Sequence, residues 1–85
     1  MPKVWEQDGF IFYVYYNDHT PSHVHVKKAE GEAIIHLGDN DTKPSIREVR
    51  DMKFKDVKKA LEIAAKEQKQ LEKSWKRIHG EDKVR

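Results

Sequence analysis

Cysteine is absent from the 85 residues, which removes both a disulfide framework and a thiolate metal site and leaves a purely hydrophobic core. That absence fits a reducing compartment, and a cytoplasmic protein is expected. Long apolar runs are missing as well. The longest, Phe10 to Tyr16, is far too short to span a bilayer, and no N-terminal signal pattern precedes it, so no membrane role is expected. Glycine is scarce, with four in the chain and none in a phosphate-cradling pattern. No Ser/His/Asp arrangement and no pair of catalytic carboxylates stands out. The chain length is that of one small domain, read as residues 1–80 with a frayed tail at 81–85.

Charge, by contrast, is abundant and unevenly placed. Charged residues make up 38% of the chain, so the core must come from a few well-placed segments. Residues 1–40 hold three Lys against six Asp/Glu, a net of −3; residues 41–85 hold fourteen Lys/Arg against nine Asp/Glu, a net of +5. Any attraction to a polyanion is therefore expected in the second half.

Periodicity points to strands first and a helix last. Val4-Trp5-Glu6 reads as a short strand turned by Asp8-Gly9, a strong hairpin signal. Phe10 to Tyr16 follows as the best strand, with Phe10, Phe12, Val14 and Tyr16 on one face and Ile11, Tyr13 and Tyr15 on the other. His23 to Ala29 alternates, Glu30-Gly31 is taken as the turn, and Glu32 to Leu37 returns. That register opposes His25 to His36 and gathers His23, His25 and His36 on one face, with Val24, Val26, Ala33, Ile35 and Leu37 on the other. Ser45–Met52 reads as a fifth strand with Ile46 and Val49 inward. One long helix is expected over Lys55 to His79, closed by Gly80, its stripe being Val57, Ala60, Leu61, Ala64, Leu71, Trp75 and Ile78. The expected fold class is α+β: an antiparallel meander of four to five strands with one long C-terminal helix on one face.

Three kinds of chemistry are compatible with these residues. His-x-His on a strand puts two imidazoles on one face, and His36 with Glu30 or Glu32 nearby would extend a metal-ligand set of His23, His25 and His36. A cupin-type metal motif shares this spacing but needs a closed barrel and a second histidine motif, which the chain lacks. A hydrogen-bonded histidine cluster is the plainer reading, so neither metal nor cofactor is assigned. The same His23, His25 and His36, with Tyr13 and Tyr15 beside them, are candidate acid–base groups for RNA cleavage without a metal. On the helix, Lys55, Lys59, Lys66, Lys69, Lys73, Lys76 and Arg77 fall opposite Leu71 and Trp75, a candidate nucleic-acid surface. The plainer reading there is a solvated face supported by Glu62–Lys66 and Glu72–Lys76 pairs.

The stretch Asn17 to Val26 carries a resemblance. Three histidines, His19, His23 and His25, flank Pro21 behind Asp18, in the pattern Asp-His-x-Pro-x-His-Val-His-Val. An aromatic strand, Gly9-Phe10-Ile11-Phe12-Tyr13, precedes it; Gly31-Glu32-Ala33 and a late Trp75 follow. Together they resemble the short prokaryotic proteins of domain of unknown function 4160. Ser22 stands where the family usually has a second proline, and Asp18 where it usually has Glu. The resemblance implies a place in a two-gene module of toxin–antitoxin type. It transfers no catalytic set. The leading expectation is a non-enzymatic protein that binds a small partner protein, or itself, through the His/Tyr sheet face.

Overall fold

The computed structural model describes residues 3–39 and 41–79. The expected Gly80 helix stop and the tail at 81–85 lie outside the described residues. Five strands, β1 (Lys3–Gln7), β2 (Phe10–Tyr13), β3 (His23–Lys28), β4 (Gly31–His36) and β5 (Ser45–Arg50), pair in chain order, each antiparallel to the next. The first hairpin turns on Asp8 and Gly9, both at positive φ (52° and 85°), the geometry whose twist matches the flanking strands.

The second hairpin departs from the expected turn. Its central residues are Ala29 and Glu30, with Lys28 opposite Gly31, and Ala29 takes φ 55°. Gly31 belongs to the strand because another segment crosses it closely. A Cβ there would lie 2.5 Å from the Asp51 carbonyl oxygen and 2.8 Å from the Met52 Cα. The register is therefore two residues from the expected one, and His36 opposes His23 rather than His25. A shift of two leaves every side chain on its face, so the histidines stay together.

β2 ends earlier than its sequence pattern. Beyond Tyr13 the backbone turns, with the Asp18 amide donating to the Tyr15 carbonyl at 3.1 Å. Val14 remains buried, while Tyr16, expected on the same face, is 75% exposed. In β5, Ile46 packs against the core but Val49, also expected inward, is 42% exposed at the sheet edge.

The long helix is two helices, α1 (Phe54–Lys66) and α2 (Gln68–His79). Glu67 leaves helical geometry at φ −104°, ψ 22°, although its amide still reaches the Ile63 carbonyl at 2.9 Å. The break sits beside a polar anchor. The Gln68 side-chain amide donates to the carbonyls of Leu37 (2.6 Å), Thr42 (3.0 Å) and Asp39 (3.2 Å), holding the loop between β4 and β5. With the axis broken there, α1 contacts β4 and β5 while α2 reaches β1. The helices bury Ala60, Ile63, Ala64, Leu71 and Trp75 against Phe10, Phe12, Val14, Val24, Val26, Ile35 and Leu37. The result is α+β, with the opposite sheet face carrying the histidines.

Candidate functional site

The site is made where the loop after β2 folds back over the start of β3. Asp18 is fixed from both ends: its backbone amide donates to Tyr15, and its Oδ2 accepts the Tyr15 amide at 2.9 Å. This is the local side-chain-to-backbone bonding that favours Asp in turns. The loop is tied down further by the Leu37 amide donating to the Ser22 carbonyl (3.1 Å) and by the Ser22 hydroxyl donating to Glu72 of α2 (3.1 Å). The Thr20–Pro21 peptide within it is cis.

So held, Asp18 presents Oδ1 to both neighbouring imidazoles. His25 Nε2 lies 3.2 Å away and His23 Nε2 3.4 Å away. All three side chains are largely withdrawn from water, at 10% exposure for Asp18, 5% for His23 and 13% for His25. Burial disfavours the Asp18 carboxylate, but the Tyr15 amide and the two histidines together outweigh it and lower its pKa from the ordinary value. His23 Nδ1 lies 2.9 Å from the Pro21 carbonyl oxygen. A carbonyl only accepts, so this nitrogen carries the hydrogen. His25 Nδ1 faces Glu32 Oε2 at 3.5 Å without forming a hydrogen bond.

The rings continue on either side. Tyr13 stacks near Tyr15 (centroids 6.1 Å, 12° apart), Tyr15 tilts on His25 (4.5 Å), His25 meets His23 edge-on (5.3 Å), and His23 contacts Trp75 of α2 (5.2 Å). Trp75 in turn lies 4.0 Å from His79. The segment from aromatic strand through histidines to late tryptophan is thus one contiguous packing unit. The family model described as "Domain of unknown function (DUF4160)" matches residues 9–76, a span that contains this whole unit. The chain belongs to the DUF4160 family. No curated protein and no solved structure gives a match.

The DUF4160 motif residues divide by role. Asp18, His23 and His25 converge, and Pro21 supplies the carbonyl that fixes the His23 tautomer. His19 is exposed at the lip of a groove of about 610 Å³, lined also by Asn17, Thr20, Ile34, His36 and Arg47. His36 lies across from His23 at 6.4 Å between ring centroids and lines the same groove as His23 and His25, while the group that converges on Asp18 is His23 and His25. Its Nδ1 is buried with no hydrogen-bond partner among the described residues.

Two roles were not visible in the sequence. Asp18 was legible as a motif residue but not as the group the histidines face. Arg47 enters the groove because Ile34 pairs with Glu48 and Ile35 with Ile46, leaving Arg47 as the extra residue of a bulge. Bulges of this kind re-aim a side chain.

The lysine stripe is exposed at Lys55, Lys59, Lys66, Lys69, Lys73, Lys76 and Arg77, as expected, but the break at Glu67 divides it between two helices. Lys59 lies 3.8 Å from Asp8, and Lys69, Lys73 and Lys76 share a second groove with the carboxylates of Asp39 and Glu72. No helix among the described residues is long and apolar enough to cross a membrane.

Proposed function

We propose that this DUF4160 protein is the non-enzymatic, partner-binding component of a toxin–antitoxin-like two-gene module in a prokaryotic cytoplasm, and that it engages a small protein through the sheet face away from the helices. The observation that carries this reading is the composition of that face. The strand register lays Lys3, Tyr13, His25, Ile34 and Glu48 in one row and Glu6, Ile11, Lys27, Glu32 and Arg50 in the next. Tyr13, Ile11 and Ile34 are apolar anchors, each only half-buried by its own chain, and they are interspersed with charges of both signs, Lys27 and Glu32 among them. Aromatic and apolar anchors set among polar and charged groups are common in protein–protein interfaces. Interleaved acids oppose a polyanion and suit another protein's mixed surface.

The metal-independent ribonuclease reading loses support from the same geometry. His23 and His25 both turn Nε2 onto one Asp18 oxygen instead of bracketing a substrate, and His36 does not join them there. The nucleic-acid reading rests on the divided lysine stripe.

Co-expression with the short protein encoded beside it tests the proposal, with the complex weighed by light scattering after size exclusion. A stoichiometric complex is expected, and Tyr13→Arg or Ile34→Arg should weaken it at least about 30-fold, the scale of an interface anchor. Lys66→Glu, Lys69→Glu and Lys73→Glu together should leave it intact. No complex, or a complex indifferent to Tyr13 and Ile34, refutes the reading. RNA cleavage lost in His25→Ala would replace it with the enzyme.

A further inference from the structure

We infer that Asp18 Oδ1, His23 Nε2 and His25 Nε2 form a three-ligand site for a divalent first-row transition ion of the zinc type. The inference goes beyond partner binding and does not depend on it. It begins with a conflict of lone pairs. His23 gives its Nδ1 hydrogen to the Pro21 carbonyl, so whenever the ring is neutral an unprotonated Nε2 faces a carboxylate oxygen 3.4 Å away. Two acceptors facing each other in a site this withdrawn from water are reconciled by a cation between them, a proton or a metal ion.

A proton is the simplest such cation, and His25 Nε2 hydrogen-bonds Asp18 Oδ1 at 3.2 Å, but the pair with His23 is longer than a proton bridge favours. A proton-bridged imidazolium–carboxylate pair closes to about 2.7–2.9 Å, whereas the two approaches here are 3.4 Å and 3.2 Å, both to the same oxygen. Those lengths match the edge of a tetrahedron around an ion with ligand bonds of about 2.0 Å, which is roughly 3.3 Å. The third edge, between the two Nε2 atoms, is no longer than 4.8 Å and must take a similar length for an ion to seat, which the two imidazoles reach by drawing together.

The surroundings agree. Histidines that ligate metals usually turn their other ring nitrogen to a backbone carbonyl or a carboxylate. His23 Nδ1 has the Pro21 carbonyl, and His25 Nδ1 has Glu32 at 3.5 Å, a contact that is not yet a hydrogen bond. Two imidazoles and a carboxylate favour zinc, cobalt or ferrous iron over calcium or magnesium. Three protein ligands leave at least one position to water or an exchangeable ligand.

The test uses the full chain, stripped with EDTA and titrated with Zn²⁺ by calorimetry and with Co²⁺ by visible absorption. One ion per chain and cobalt ligand-field bands are expected. His25→Ala and Asp18→Asn should each weaken binding at least about 100-fold, and Glu32→Gln, acting through His25, about 10- to 100-fold. His19→Ala and His36→Ala should bind like the parent. Histidine ¹⁵N spectra of the unmutated chain guard against variants that fail to fold: Zn²⁺ should shift the Nε2 resonances of His23 and His25. No binding, shifts confined to His19 or His36, or unchanged affinity in folded Asp18→Asn would overturn the site and leave the partner-binding face standing.

Discussion

Exchanging the conformational roles of residues 29 and 31 tests the hairpin register that sets His23 opposite His36. Gly31→Ala places a Cβ 2.5 Å from the Asp51 carbonyl oxygen and 2.8 Å from the Met52 Cα, and both obstacles are backbone. No rotamer change relieves such contacts, so β4 or the turn into α1 must move. Overpacking of this kind costs about 1–3 kcal/mol, and backbone obstacles put the variant at the upper end. Ala29→Gly works the other way. Ala29 sits at φ 55°, where a Cβ costs an L-residue roughly 1–2 kcal/mol. Glycine removes that cost but adds about 0.5–1 kcal/mol of unfolded-state entropy, leaving a net gain of about 0.5 kcal/mol. Urea unfolding with an unchanged m-value reads both effects as shifts of the midpoint. The reasoning is refuted if Gly31→Ala is neutral or if Ala29→Gly destabilises, because the turn would then centre on Glu30-Gly31.

Other perturbations probe the anchors of the site. Gln68→Ala removes the amide that serves three loop carbonyls, and should cost about 1–3 kcal/mol and speed hydrogen exchange at the Asp39 and Thr42 amides. Protection unchanged from the parent would show that the loop holds itself. In metal-free protein, the lowered pKa of Asp18 means that its ionised form is favoured by folding. Its contribution to stability is full above the ordinary aspartate pKa and is lost as pH falls through the lower folded value. Asp18→Asn should therefore flatten the acid limb of a stability–pH curve, and a parallel curve would contradict the assignment.

Much of the architecture was legible because it depends on face rather than on register. Val24, Val26, Ile35 and Leu37 alternate with period two, and a two-residue shift leaves them all inward. The turn itself was not legible: Gly31 looked like the turn glycine, but it is needed where Asp51 and Met52 pass. Nor was the helix break, since Glu67-Gln68 contains neither Gly nor Pro and is set by distant carbonyls that Gln68 serves. Asp18 was recognisable as part of a motif, yet its partners follow from a loop fold fixed by backbone bonds that no spacing encodes. Arg47 needed the bulge to be placed.

Histidine ¹⁵N–¹H long-range correlation spectra of the metal-free chain and of its Asp18→Asn variant test the convergence on Asp18 most directly. His23 is expected to carry its hydrogen on Nδ1, and the substitution to shift the His23 and His25 Nε2 resonances together while leaving His19 and His36 nearly in place. A neutral His23 protonated on Nε2, or a variant in which only one of the two histidines responds, would contradict that convergence.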